Sequence, residues 1–251
     1  MSALSPLIGP GSPQGRADEV VQRIIEAIHL GLLGDGERLP VEVELARMFG
    51  ISPMTAREAL AELRDRGLVI TRRGRTGGSF VCRPEHPPID YLRHRLGAMT
   101  MTELRDLADE HRAVAGQSAR LAAERSAEVN VRRMFGLTEQ LGAATGLGAR
   151  IRADCRFHIE LAIASHSERL TRREVALQAE VSGLLWLPIG PAVDVAAMTA
   201  EHHAIAAAVV SEDPEKARRL AEEHIDSGLR RLVTLRLLIH DESGDDEVAT
   251  T

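Results

Sequence analysis

Aromatic and cysteine residues are scarce in this chain of 251 residues. Aromatic residues make up 2% of the sequence, so the core has to be built from Leu, Ile, Val and Ala, which suits packed helices. Two cysteines, Cys82 and Cys155, are too few for a disulfide framework, which indicates a reducing compartment. The sequence lacks an apolar run near the ~20 residues that a membrane span needs. Its first residues also lack the basic start and apolar stretch of a signal peptide. We therefore expect a cytoplasmic protein without a membrane segment.

The distribution of charge separates the chain into a basic and an acidic part. The formal net charge of −6 argues at first against a protein that binds nucleic acid. However, residues 47–83 contain eight arginines and only three acidic residues, whereas residues 84–251 contain 20 basic and 27 acidic residues. This asymmetry is typical of a DNA-contacting segment attached to a regulatory domain.

Residues 16–83 begin with the pattern of three helices. The first is expected over about 18–33, and a second, short helix follows Pro40 and stops at Gly50. The third is expected to begin at Ser52, whose hydroxyl can cap it. Its predicted core face consists of four residues: Ala56, Ala59, Leu60 and Leu63.

The helical period ends at Gly67 and a hairpin pattern follows. Residues 68–71 and 79–82 are predicted strands, joined by the turn sequence RRGRTGG. Three helices followed by a β-hairpin predict a winged helix-turn-helix domain over residues 16–83.

Beyond this domain the sequence predicts a linker and an all-helical domain, so that the fold class is mainly α. Residues 84–100 contain three prolines and are expected to form the linker. Residues 101–240 have helical period and are expected to form an antiparallel bundle. Its helices are predicted near 102–126, 129–143, 149–166, 168–187, 195–211 and 214–240. Residues 1–15 and the acidic residues 241–251 are expected to be disordered tails.

Several arginines are placed where a winged helix-turn-helix contacts DNA. Such a domain inserts its second motif helix, here the third predicted helix, into the major groove. Arg57 and Arg64 lie two turns apart on the free face of that helix, so both can reach DNA. Arg72, Arg73 and Arg75 in the wing can contact phosphates or the minor groove. The alternative is that these arginines are ordinary surface residues.

The stretch ERLPVEVELARMFGISPMTAREALAELRDRGLVITRRGRTGGSFV resembles the DNA-binding domain of GntR-type repressors. The shared features include the Leu39-Pro40 step, the TAREAL run and the GLV sequence after the third helix. The resemblance implies that this domain binds DNA. It adds five residues to the candidate DNA-binding set: Arg38, Glu42, Ser52, Thr55 and Gly77.

At three positions the sequence differs from many GntR-type DNA-binding domains. Many relatives carry arginines, commonly DNA contacts, where this chain has Val43 and Pro53. Their absence shifts the contacts toward Arg57 and the wing. Relatives also often have a capping serine in place of Val41, and a missing cap costs about 1 kcal/mol. Glu44 still stabilises that helix, because its negative charge lies near the positive N-terminal end of the helix dipole.

Four residues in the second half have the chemistry of metal ligands. Asp154 and His158 lie four residues apart and point the same way on one predicted helix, while His202 and His224 lie on helices of their own. Three imidazoles and a carboxylate suit Zn²⁺, or a similar divalent ion such as Ni²⁺ or Mn²⁺. The spacing alone leaves open that they are ordinary surface or core residues, since the chain has ten histidines.

Residues from about 102 to 236 resemble the all-helical C-terminal domain, called FCD, of the FadR-type subgroup of the GntR family. The similar segments are LADEHRAVAGQSARLAAERS, DCRFHIELAIASHSERL and EHHAIAAAVVSEDPEKARRLAEEHI. In metal-binding members of this subgroup the ligands fall at the same four residues, so the resemblance implies a metal site there. His203 points about 100° away from His202 on a helix and is not assigned as a ligand.

The resemblance implies a repressor that a metabolite controls. The expected effector is a small organic acid bound at or beside the metal, with Arg112 as the candidate partner of its carboxylate. We expect a homodimer that binds an inverted-repeat operator, because the two-fold symmetry of the dimer matches the two-fold symmetry of the repeat. Two alternatives remain: a metal-dependent enzyme with Glu160 or Glu201 as general base, and a purely structural metal.

Overall fold

The computed structural model describes residues 16–29, 31–74, 77–82 and 89–248. The chain divides into two compact units, Met1–Glu85 and His86–Thr251. The predicted disordered segment 1–15 lies outside the described residues.

The first unit is a winged helix-turn-helix, as the sequence predicted. Its described elements are α1 (Arg16–His29), α2 (Glu42–Phe49), α3 (Pro53–Asp65), β1 (Val69–Arg72) and β2 (Gly78–Val81). The predicted core face of α3 is confirmed, because all four of its residues are buried. They pack in a unit whose fully buried side chains include Ile24, Ile28 and Leu45.

The two motif helices begin in different ways. Ser52 caps α3 as predicted, since its Oγ accepts a hydrogen bond from the Thr55 backbone N–H at 3.1 Å. Val41 precedes α2 without a side-chain cap. There the Glu44 carboxylate reaches back to accept the Val41 backbone N–H at 3.3 Å, which partly replaces the missing cap.

The wing is a two-stranded antiparallel sheet in which Val69 pairs with Val81 and Arg72 with Gly78. Between the strands, the Gly77 backbone N–H donates to the Gly74 carbonyl oxygen at 2.8 Å, as in a turn. A Cβ added at Gly77 would lie 2.4 Å from the Arg72 carbonyl oxygen, so this position of the turn has no room for a side chain. The turn residue Arg75 lies outside the described residues.

The second unit is all-helical in the part that the structure describes. Its helices are α4 (Ile89–Ala98), α5 (Met101–Arg125), α6 (Glu128–Ala143), α7 (Leu147–Ala164), α8 (Glu168–Leu185), α9 (Val195–Val210) and α10 (Pro214–Val248). The long helices α5 and α10 pack against each other, and α7 packs against α5, α6 and α8. One aliphatic cluster joins α5, α6, α7, α9 and α10 around Phe157. No helix among the described residues is both long and apolar enough to cross a membrane.

Two predicted boundaries of this unit were wrong. The expected linker 84–100 contains α4, whose Leu92 and Leu96 are buried against Leu235 and other residues of α8 and α10. These leucines are four residues apart, a helical spacing that the nearby prolines obscured. The expected disordered tail 241–251 is helical through Val248, as a continuation of α10.

Replacing Leu63 by Ala is expected to destabilise the first unit by about 2–5 kcal/mol, because its fully buried side chain would leave a cavity. Chemical denaturation followed by circular dichroism measures this loss. Ile70→Ala is the control, because Ile70 is 42% exposed in the same unit. An equal loss in both variants would contradict the assigned core.

Candidate metal centre and nucleic-acid interface

Three helices bring the four predicted metal ligands into one buried cluster. Asp154 and His158 lie one turn apart on α7, His202 lies on α9, and His224 lies on α10. Their ligand atoms all lie within 4.8 Å of one another, and each residue is at most 8% exposed. The four residues of this group are called the donor cluster below.

The donor atoms point at a common centre. His224 Nε2 lies 3.2 Å from His158 Nε2 and 3.3 Å from His202 Nε2. Asp154 Oδ1 lies 3.4 Å from His202 Nε2 and 3.7 Å from His158 Nε2. Ligands bound 2.0–2.1 Å from a tetrahedral ion are about 3.3 Å apart, so these separations are close to those of a zinc site.

The donor set fits a divalent cation in its chemistry as well. Asp154 Oδ1 is buried without a hydrogen-bond partner in the structure. A buried carboxylate oxygen without a partner is costly, and a cation at the centre would compensate it. Imidazole nitrogens with a carboxylate oxygen are ligands that zinc and related transition metals prefer.

Contacts around the donor cluster fix how its side chains are oriented. Glu201 Oε2 lies 2.6 Å from His224 Nδ1. Because a carboxylate only accepts, Nδ1 donates this bond and the lone pair of Nε2 is directed into the cluster. Trp186 Nε1 donates to Asp154 Oδ2 at 2.7 Å, which leaves Oδ1 facing the histidines. The ring of Phe157 stacks on His202 with the ring centroids 4.0 Å apart.

Burial sets the protonation of the cluster. Removal from water lowers the pKa of both His158 and His202 well below the ordinary value, so both imidazoles are neutral at pH 7. A neutral imidazole has a lone pair to give to a metal. Burial also raises the pKa of the Asp154 carboxyl, although the hydrogen bond from Trp186 opposes this shift.

A cavity of about 380 Å³ reaches the donor cluster. Asp154, His158 and His224 line one part of it, together with Glu201. Much of the remaining wall is aliphatic: Leu104, Leu107, Val181, Leu185, Met198 and Leu229. Arg231, also in the wall, donates hydrogen bonds to the backbone carbonyls of Leu185, Leu187 and Pro191.

A second polar group beside the cavity was missed by the sequence analysis. His111 on α5 is buried, lines the cavity, and has its Nε2 3.1 Å from Glu174 Oε1 on α8. Gln178, one turn later on α8, donates to the same carboxylate oxygen at 2.9 Å. The i, i+4 spacing of the two α8 residues was visible in the sequence, but their pairing with α5 was not.

The structure does not bring the predicted effector residue Arg112 to the cavity. Its side chain is 49% exposed and lies 3.9 Å from Glu222 and 4.0 Å from Asp226 of α10. The residue before it, His111, is buried and lines the cavity. His203 is exposed, consistent with its exclusion from the ligand set.

The two carboxylates considered as general bases are engaged in other contacts. Glu160 is buried and accepts a hydrogen bond from Asn130 at 2.9 Å. Glu201 is the residue that orients His224. Neither arrangement resembles a base directed at a metal-bound water.

In the first unit, the candidate recognition residues lie on the exposed side of α3. Arg57 is tied to Glu42 of α2, with its Nη2 2.8 Å and its Nε 3.1 Å from Glu42 Oε2. The hydrogen bond from Arg57 holds the pKa of the Glu42 carboxyl below its usual value. Arg64 Nη1 donates to Thr71 Oγ1 at 3.2 Å, which joins the end of α3 to the wing.

The other predicted DNA-binding residues surround this helix and the wing. The Thr55 hydroxyl lies 2.9 Å from the Ser52 hydroxyl at the start of α3. Arg72 lies over the Phe80 ring, 4.5 Å from its centroid, and Arg73 is exposed. Arg38 is exposed and its backbone bridges to β2, where its guanidinium lies beside Gly78.

The buried histidines predict a pH-dependent stability in the chelator-treated protein. Below about pH 6.5 the unfolded histidines take up protons that the folded, buried ones do not. The free energy of unfolding should therefore fall as the pH falls through that value. His202→Gln should reduce this dependence by up to about 1.4 kcal/mol per pH unit. Denaturation at several pH values measures it.

The neighbouring exposed residue supplies the control, since His203→Gln should retain the wild-type dependence. An unchanged pH dependence in His202→Gln would contradict a buried, neutral His202.

Two family models match the chain. The model described as "Bacterial regulatory proteins, gntR family" matches residues 16–81, and the FCD domain model matches residues 106–227. The first match coincides with the winged helix-turn-helix, and the second contains the whole donor cluster.

Named relatives are transcriptional regulators. The putative HTH-type transcriptional regulator RmpR of Mycobacterium gastri is 44% identical over 226 residues, which cover 89% of this chain and 82% of that protein. The Uxu operon transcriptional regulator of Escherichia coli K12 is 27% identical, with 79% of each chain covered. Among solved structures, E. coli McbR/YncC shares the fold with a TM-score of 0.53 at 18% identity, covering 88% of this chain and 98% of that one. The chain therefore belongs to the GntR family of bacterial regulatory proteins, in the FadR-type subgroup that carries an FCD domain.

Proposed function

We propose that this regulator is a cytoplasmic, homodimeric repressor whose DNA affinity depends on an organic acid bound beside a divalent metal in the helical unit. The observation that carries the proposal is the donor cluster at the wall of a cavity large enough for a small metabolite. The winged helix-turn-helix is the DNA-binding domain in this account, and the helical unit is the sensing and dimerisation domain.

The donor cluster would hold the metal through Asp154 Oδ1 and the Nε2 atoms of His158, His202 and His224. When bound, the metal would supply a positive charge that attracts the carboxylate of an acid in the cavity. The nitrogen-rich set favours Zn²⁺, while Ni²⁺ and Mn²⁺ remain candidates. Glu201 and Trp186 support the binding by fixing the orientation of His224 and Asp154.

The cavity supports a small acid with an apolar body. Its aliphatic wall can cover carbon atoms, whereas its polar groups lie around the donor cluster. His111 is the polar side chain of α5 that faces the cavity, and Glu174 holds its ring through Nε2. We propose that His111, in place of Arg112, is the residue of α5 that contacts the acid.

Helix α10 provides a route from the site to the start of the helical unit. It carries His224 in the donor cluster and, four turns later, Ile239, which packs with Leu92 and Leu96 of α4. Helix α4 is the first described element after the DNA-binding unit. An effector that binds one arrangement of α10 more tightly would shift DNA affinity, typically by 1–3 kcal/mol of coupling.

The structure gives no reason to prefer the enzyme alternative. Catalytic zinc sites need a base that can reach a metal-bound water. Glu160 and Glu201, the two carboxylates considered for that role, are engaged with Asn130 and His224.

Metal analysis combined with a thermal-shift screen of organic acids tests the sensor. The wild-type chain is expected to contain about one metal ion per chain, and His158→Ala and His202→Gln should lose most of it. An acid of the correct class should raise the unfolding temperature, and a chelator should abolish that rise.

The exposed His203→Gln variant is the control and should retain its metal. Full metal content in both ligand variants would contradict the site. Stabilisation by acids that survives the chelator would instead indicate a purely structural metal.

Replacing Arg57 by Ala is expected to abolish specific operator binding while dimerisation is preserved. Loss of one base contact costs about 1–3 kcal/mol, and a symmetric dimer loses two. Fluorescence anisotropy with a specific and a scrambled duplex measures the loss. Arg132→Ala, which removes an exposed arginine of α6, is the control. Unchanged specific affinity of the Arg57 variant would contradict the assignment of α3 as the recognition helix.

A further inference from the structure

An apolar side chain stands exposed at the start of the recognition helix. Met54 is the second residue of α3 and is 59% exposed, the highest exposure among the large apolar residues described in the first unit. It makes no part of the core, which lies on the opposite side of α3. The fold therefore does not require a methionine at this position.

Met54 shares its side of α3 with the candidate DNA contacts. Residues three and four positions apart lie on one face of a helix, so Met54 is one turn before Arg57 and Glu58. Arg57 is held by its two-atom contact with Glu42, and Arg64 follows two turns later on the same side. A solvent-exposed methionine thus begins a face of α3 on which two arginines follow.

We propose that Met54 recognises the C5-methyl group of a thymine in the major groove. This inference rests on the proposed DNA-binding role of α3 and specifies part of its sequence preference. The N-terminal residues of a recognition helix are the ones that contact base edges. The thymine methyl is the apolar group that base edges present in the major groove, and apolar side chains recognise it by contact.

Methionine is suited to this contact. Its unbranched, polarisable thioether adapts to an irregular apolar surface, and burying it against a methyl group removes both from water. Phosphate contacts by the neighbouring arginines would fix the register of α3 on the duplex, so that Met54 meets a defined base pair. The Arg57–Glu42 contact supports that register, because it restricts the conformations of the Arg57 guanidinium in the DNA-free protein.

The test uses the full chain and a duplex that it selects itself. A random double-stranded pool is enriched with the wild-type protein, and each thymine of the winning duplex is then replaced singly by uracil, which lacks only the methyl. At one thymine of each half-site the Kd should rise about fourfold, the equivalent of one buried methyl group. In Met54→Ala the same uracil should have no effect, whereas Met54→Leu should retain most of it.

Met101→Ala is the matched control, since Met101 also lies at a helix start and is 49% exposed, but in the helical unit. This variant should keep the full uracil effect. No sensitive thymine in the wild type, or an equal uracil effect in wild type and Met54→Ala, would overturn the assignment to Met54. Failure of the wild-type chain to enrich any duplex would contradict the proposed DNA-binding function itself, and the assignment with it.

Discussion

The burial of three imidazoles and one carboxylate at a single point is the constraint on which the helical unit depends. Polar groups removed from water need compensation, and the donor cluster leaves Asp154 Oδ1 without a hydrogen-bond partner. A divalent cation would provide that compensation and join α7, α9 and α10 at the same time. The surrounding contacts from Glu201 and Trp186 are then explained as orienting interactions, not as isolated hydrogen bonds.

The same arrangement would link the proposed sensing to the packing of the helical unit. The cavity wall includes donor-cluster residues and aliphatic side chains of α5, α8, α9 and α10, so a bound acid would contact the helices that form the core. Packed helices respond to such contacts by changing between discrete arrangements instead of deforming gradually. In the first unit, the contact between Glu42 and Arg57 also has two effects. It joins α2 to α3, and it orients a candidate base contact.

Local sequence patterns predicted most of the fold, and the four cluster residues were proposed as ligands from their chemistry together with the resemblance to the FadR-type subgroup. Helical periodicity placed α5 to α9 within a few residues of their observed ends, and Ser52 was correctly predicted as a cap. Contacts between distant segments could not be predicted from the sequence. The contact of His111 with Glu174 depends on how α5 and α8 pack, and the spacing of residues along the chain does not determine that packing. The position of Arg112 outside the cavity was out of reach for a related reason, since a rotation of one residue on α5 separates the cavity wall from solvent. Helix α4 was missed because prolines ahead of it were given more weight than its leucines.

Anomalous diffraction at the zinc absorption edge, from crystals grown with stoichiometric Zn²⁺, tests the central claim most directly. The account predicts one anomalous peak about 2.0–2.2 Å from Asp154 Oδ1 and from the Nε2 atoms of the three cluster histidines. The absence of an anomalous peak, with the histidines bonded to one another or to water in zinc-supplied protein, would contradict it.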